Sequence, residues 1–225
     1  MIEIRELMRT YRTGDTEVRA LRGINLDIDA GEFVAIAGPS GSGKTTLLNL
    51  IGCLDEPDAG TISISGVNVQ DANAKARAFF RRNNLGFVFQ SFNLIPVLTA
   101  KENIALALSL LDIPVKEQEE RVMQIVEEVG LTGMEDRRPS RLSGGQQQRV
   151  AVARALVKKP KIVLADEPTA NLDSETGSAI LALMHDLNKS HNATFIFSTH
   201  DPMVMAEAER LVSLHDGAVT EDARN

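Results

Sequence analysis

Apolar and polar residues alternate over residues 2–8 and again over 24–28, the period-two pattern of strands with one wet face. Ala30-Gly31-Glu32 then turns the chain into an unbroken apolar run, 33–37, that fits a buried strand. This opening predicts antiparallel β structure. Tyr11 falls in a polar stretch between the first two strands and is expected in a loop, either stacked on a base or packed on the loop itself. Beyond residue 37 the pattern turns helical, with Leu47, Leu48, Leu50 and Ile51 marking the buried face of a helix over 46–53. Residues 55–60 read as a turn, 61–65 as a short strand closed at Gly66, and 85–89 as another apolar strand ending at Gln90.

From 91 to 159 helical periodicity takes over, with helices expected at 100–111, 115–129 and 144–158 and interruptions at Pro114, Gly130, Gly133 and Pro139. Pro160 ends this insert. Ile162-Val163-Leu164-Ala165 then has the composition of a fully buried strand, followed by a helix over 175–187 and a strand over 194–197. Strands alternating with helices predict an α/β fold, with an antiparallel β part at the N-terminus and a helical insertion.

The length of 225 residues and 43% hydrophobic content fit one large domain with a substantial core. A formal charge of -7 argues against a general nucleic-acid binder, so no direct nucleic-acid partner is expected. Cys53 is the one cysteine, which excludes an intrachain disulfide and a thiolate metal cluster; it reads as a small buried hydrophobe. The first six residues carry two acids and lack a signal-peptide core, and the most apolar later stretch, 104–111, is far shorter than the roughly 20 residues a bilayer requires. A cytoplasmic protein is therefore expected, with any membrane role exercised through a partner.

The candidate chemistry starts at Gly38-Pro39-Ser40-Gly41-Ser42-Gly43-Lys44-Thr45, which fits G-x-x-x-x-G-K-[ST] between a strand and a helix. Such a turn aims backbone N–H groups at one point, where the helix dipole also favours an anion. Lys44 can reach the outer phosphates of a nucleoside triphosphate and the Thr45 hydroxyl can ligate Mg²⁺. Gln90, at a strand's carboxyl end, is placed to touch a metal-bound water or a phosphate. Leu142-Ser143-Gly144-Gly145-Gln146 opens a helix with a second set of N–H groups behind a serine able to cap it. Asp166 and Glu167 follow a buried strand, where adjacent carboxylates are costly without work to do; Asp166 suits Mg²⁺ and Glu167 suits a general base for the attacking water. His200 ends a further strand and could hydrogen-bond a γ-phosphate, whereas His185, His191 and His215 read as ordinary polar residues.

Taken in order along nearly the whole chain, the phosphate loop, Gln90, Leu142 to Gln146, Ile162 to Glu167, Asn171-Leu172-Asp173 and His200 resemble the ATP-binding-cassette ATPases, the nucleotide-binding subunits of ABC transporters. The resemblance implies a P-loop NTPase core with a mainly parallel sheet and flanking helices, an N-terminal antiparallel β subdomain and an inserted helical subdomain. It implies one domain over 1–225, with the core in 1–90 and 160–225 and the helical part in 91–159. ATP would be held by residues 38–45, by Thr46, by Gln90 and His200, and by Tyr11 stacked on adenine; Thr45, Gln90 and Asp166 would serve Mg²⁺, and Glu167, His200, Gln90 and Lys44 the reaction. Ser143, Gly144, Gly145 and Gln146 would meet ATP bound by a second copy, with Asp173 at the contact between copies.

Further stretches, 48–55, Phe92-Asn93-Leu94-Ile95-Pro96, Leu98-Thr99, Glu102-Asn103 and 164–169, are similar to the lipoprotein-releasing and macrolide-exporting branch. That likeness implies a separate membrane permease as partner, docked near residues 92–98, and a position on the inner face of the cell membrane. Thr45 stands where many members have Ser, and Ala170-Asn171 where many have Ser-Ala. The chain ends soon after Asp216-Gly217, so no regulatory domain is expected. The competing class is a non-transport ABC-type ATPase in a nucleic-acid or translation process, which would generally bring a second cassette, coiled-coil arms or a zinc module.

Overall fold

The computed structural model describes residues 1–14 and 16–225. In chain order it runs β1 (Ile2–Thr13), β2 (Thr16–Ile28), β3 (Phe33–Ala37), α1 (Lys44–Ile51), β4 (Ala59–Ile64), β5 (Val67–Asn68), α2 (Ala74–Asn84), β6 (Leu85–Phe89) and α3 (Ala100–Ala105). It continues through α4 (Val115–Glu128), a 3₁₀ turn (Pro139–Arg141), α5 (Gly144–Leu156), β7 (Ile162–Asp166), α6 (Ser174–His191), β8 (Thr194–Thr199), α7 (Pro202–Glu207), β9 (Arg210–His215) and β10 (Ala218–Arg224). Two compact units result, one of residues 1–81 with 194–225 and one of residues 82–193.

The first unit holds an antiparallel sheet in the order β2-β1-β4-β5, and four strands in the order β10-β9-β3-β8 in which β3 runs parallel to β8 and β9. Every residue of β3 is buried, as a strand between two neighbours requires. Phe33, Phe195 and Phe197 cluster where β3 and β8 begin, with the Phe33 and Phe197 ring centroids 4.6 Å apart. Full burial of each such ring contributes about 1.5–3 kcal/mol, which anchors the strands at the end away from residue 38. In the second unit β6 and β7 pair in parallel, and α5 packs on β6, α3, α4 and α6.

The structure departs from the sequence reading in four places. Tyr11 lies not in a loop but in β1, opposite Val18, because the first hairpin extends well beyond its alternating segments. Residues 16–19 are exposed, so nothing in hydrophobicity marks that part as strand. Helix α3 ends at Ala105 rather than at 111, the chain continuing through hydrogen-bonded turns. Helix α2 was unforeseen: it starts where Asn73 accepts from the Ala76 N–H at 2.9 Å, and none of its residues is buried, so it has no apolar stripe to read. Beyond His200 the chain adds α7, β9 and β10.

Candidate functional site

In the first unit β3 delivers the phosphate loop. Gly38 has φ +152°, and a Cβ there would lie 2.1 Å from the Leu214 carbonyl oxygen and 2.8 Å from Ser42 Oγ, so the turn requires glycine. Gly43, at φ +104°, is the residue before α1; a Cβ would meet the Ala20 carbonyl at 2.5 Å, which places β2 directly against the loop. No side chain caps α1 and its first turn carries no acid, so the positive end of the helix is presented to the loop. Lys44 is only 7% exposed, and its ammonium donates to the carbonyls of Gly38 at 2.8 Å and Pro39 at 2.9 Å. Beside it Ser42 Oγ is buried with no hydrogen-bond partner. A buried ammonium, an uncapped helix start and backbone that tolerates no Cβ make a cradle for an anionic group.

Parallel pairing puts His200 beside this cradle. Ala37 is in register with Thr199, so Gly38 and His200 leave neighbouring strands at the same level, strands that lie about 4.8 Å apart. Asp201 caps α7 through the Met203 N–H at 2.9 Å, and Thr199 Oγ1 accepts from the Asp201 N–H at 2.9 Å, so the backbone around His200 is fixed on its C-terminal side. Tyr11, at 36% exposure, donates its hydroxyl to Asp55 Oδ2 at 2.7 Å.

The second unit repeats the device. Phe89 is in register with Asp166, so Gln90 and Glu167 leave the adjacent parallel strands β6 and β7 together. Asn171 Nδ2 donates to the Gln90 carbonyl at 2.9 Å. Glu167 has φ +47°, a left-handed conformation that costs a non-glycine residue about 1–3 kcal/mol and that clusters at functional sites. Behind it Gln148, wholly buried on α5, donates to the Pro168 carbonyl at 2.7 Å. At the N-terminus of α5, Ser143 and Gln146 form a reciprocal capping box, with Ser143 exposed. A Cβ on Gly145 would lie 2.4 Å from Thr176 Cγ2, so α5 opens against the start of α6. There Asp173 is the N-cap, accepting from the Thr176 N–H at 2.9 Å and the Thr176 hydroxyl at 2.7 Å; these bonds hold its carboxyl below the usual range.

The structure thus groups the loop, Tyr11 and His200 within one unit, and Gln90, Ser143 to Gln146, Asp166, Glu167 and Asp173 within the other. Sequence reasoning passed over Gln148, Arg154 and Asp55. Gln148 was open to detection, since it recurs with Val152 and Leu156 at intervals of four on the buried face of α5. Arg154 donates to the carbonyls of Phe92 at 2.7 Å and Asn93 at 2.5 Å, two consecutive residues with positive φ. No periodic pattern announces such a tie. Among the described residues no group of three or more His, Cys, Asp or Glu side chains could hold a metal ion, and no helix is long and apolar enough to cross a membrane.

Residues 21–170 match the family described as ABC transporter. The chain is 45% identical over 214 residues to the lipoprotein-releasing system ATP-binding protein LolD of Legionella pneumophila (strain Lens), covering 95% of this chain and 94% of that protein. It is 46% identical over 226 residues to the macrolide export ATP-binding/permease protein MacB of Rhodopirellula baltica, covering the whole chain but only 33% of that relative, so the chain spans about a third of the macrolide-export protein it matches. Among solved structures, the dimeric post-hydrolysis state of the ATP-binding cassette MJ0796 bound to ADP and Pi, a protein of Methanocaldococcus jannaschii, superposes with a TM-score of 0.90 at 42% identity, covering 100% of this chain and 98% of that one.

Proposed function

Because the chain belongs to the ABC transporter family and carries its ATP-hydrolysing cassette, we propose that it powers a separate membrane permease, working as one domain over residues 1–225. The observation that carries the ATP reading is the buried Lys44 ammonium, held on the carbonyls of Gly38 and Pro39 in a loop that admits no Cβ at residue 38. On this reading residues 38–45 and Thr46 enclose the triphosphate, Lys44 neutralises its outer phosphates and the Tyr11 ring stacks on the base. Glu167 takes the proton of the attacking water, and His200 and Gln90 hold water and terminal phosphate in line.

Mg²⁺ is the implied cofactor, and the donors fit it: a Thr45 hydroxyl, a Gln90 amide oxygen and the Asp166 carboxylate are hard oxygen ligands, in a chain whose described residues form no dense acidic cage. Such sites typically use one or two carboxylates together with substrate phosphates. The ion would neutralise charge developing on the phosphoryl oxygens.

Two copies assemble around two ATP molecules, Ser143 to Gln146 of each meeting the γ-phosphate held by the other, with Asp173 at the contact. That inference draws on the MJ0796 cassette being dimeric. The cargo is of lipoprotein, peptide or macrolide type, the first and last by likeness to the LolD and MacB names, and the protein sits on the inner face of the membrane through its permease. Phosphate release from ATP by the purified chain with Mg²⁺ tests the enzymatic part. Lys44→Ala is expected to lower it about a hundredfold or more, as loss of a transition-state charge clamp does; release at the parent rate would overturn the reading.

A further inference from the structure

Tyr11 is not simply an exposed ring. Its hydroxyl donates to Asp55 Oδ2 at 2.7 Å, and the Arg9 guanidinium carbon lies 4.8 Å from the ring centroid, in cation–π range. Arg9 is itself held by Asp55 through Nε at 3.0 Å and a terminal nitrogen at 2.7 Å, a two-pronged pair, and by Asp58 at 2.9 Å. The other Asp58 oxygen accepts from the Thr10 N–H at 2.6 Å, and the Asp58 N–H donates to the Met8 carbonyl at 2.9 Å. The turn that follows α1 is therefore stitched to β1 at four successive residues, 8 to 11. Because α1 begins at Lys44, the same short segment connects the phosphate cradle to the ring.

We propose that Asp55, acting with Arg9, is a positioning residue for the nucleotide base: it fixes the Tyr11 ring with one face against the guanidinium and the hydroxyl edge tethered, leaving the opposite face for the base at a set distance from the phosphate loop. The proposal rests on the reading of Tyr11 as the base-stacking residue. A ring already locked in its rotamer loses less freedom when a base stacks on it, so the clamp raises affinity through preorganisation rather than through a contact of its own. Its effect falls on the nucleoside part of the ligand, while the triphosphate is gripped elsewhere.

The chain has one tyrosine and no tryptophan, so its tyrosine emission comes from Tyr11 alone. Three measurements on the full chain test the clamp: KM and kcat for ATP, competitive inhibition of the ATPase by inorganic triphosphate, and the change in Tyr11 emission on titration with ADP. Asp55→Ala is expected to raise KM about fivefold with kcat held, to shift the ADP midpoint of the emission change equally, and to leave triphosphate inhibition unaltered. Tyr11→Phe, which removes only the hydroxyl and leaves the turn's ties to Met8, Arg9 and Thr10 in place, is expected to raise KM about threefold. Combining the two changes should add less than their sum, since both cut the same tether.

Weakening of triphosphate in step with ATP would show that Asp55 merely supports the fold, and would overturn the proposal. So would an unchanged KM in both Asp55→Ala and Tyr11→Phe while Tyr11→Ala raises it, a result that leaves base stacking intact. An unchanged KM in Tyr11→Ala would instead refute the stacking reading, and the clamp with it.

Discussion

A single carboxylate is best judged by what surrounds it, and Asp222 shows how local geometry becomes a pH dependence. Arg210 donates to both Asp222 oxygens at 2.7 Å, and this pair of bonds holds the Asp222 carboxyl below its ordinary value; the third Arg210 guanidinium nitrogen donates to Glu32 at 2.9 Å. A carboxylate depressed by folding stabilises the protein fully above its unfolded pKa of about 3.9, and that contribution is lost as pH falls through the folded value. Thermal melts of Asp222→Asn beside the parent chain should therefore show a gap at neutral pH that closes in acid; a gap independent of pH would mean the pair contributes only shape. Gly38 offers a steric counterpart. Gly38→Ala would drive a Cβ into the Leu214 carbonyl, a backbone atom that cannot swing aside, so loss of nucleotide binding together with a lowered melting temperature is expected. Unaltered ATP affinity in that variant would mean that the loop geometry is not what binds phosphate.

Elements, unlike residues, differ in how plainly they announce themselves. Strands β3, β7 and β8 were legible because burial on both faces enforces apolar runs, and β6, part-buried on one face, because its run is equally apolar; the residues that follow them, Gly38, Gln90, Glu167 and His200, stood out as breaks in those runs. Helix α2 and the outer part of the first hairpin were not, since exposed elements carry no periodic signal. The segment after β6 is a third case. Phe92 and Asn93 take positive φ, Arg154 clamps their carbonyls, and the wholly buried Asn103 accepts from the Ile95 N–H at 2.7 Å and donates to the carbonyls of Ile95, Leu98 and Thr99. These polar ties fix the backbone and leave Ile95 37% and Val97 70% exposed. A fixed backbone presenting apolar side chains outward is what a docking surface for a permease segment needs. Ile95→Glu is expected to keep the ATPase rate within about twofold, as surface changes usually do, while abolishing assembly with the permease; ATPase lost in parallel with assembly would return Ile95 to the core of the helical segment.

For the whole molecule, the argument turns on what one copy supplies to another. Ser143 is exposed at the head of a helix whose capping box occupies Gln146, and Asp173 caps the neighbouring helix start, so in the proposed pair both lie where a nucleotide carried by a second copy would meet them. On the proposed reading nucleotide would hold two copies together and hydrolysis through Glu167 would release them, turning a chemical step into the opening and closing that would move a permease. Glu167→Gln keeps the size of the side chain and removes the proposed base. The direct measurement is the sedimentation of the Glu167→Gln chain at saturating ATP and at saturating ADP. The account predicts a pair of copies with ATP and single copies with ADP, the pair persisting because turnover falls by about a hundredfold or more without a general base. Single copies in both nucleotides, or ATP consumed at the parent rate, would contradict it.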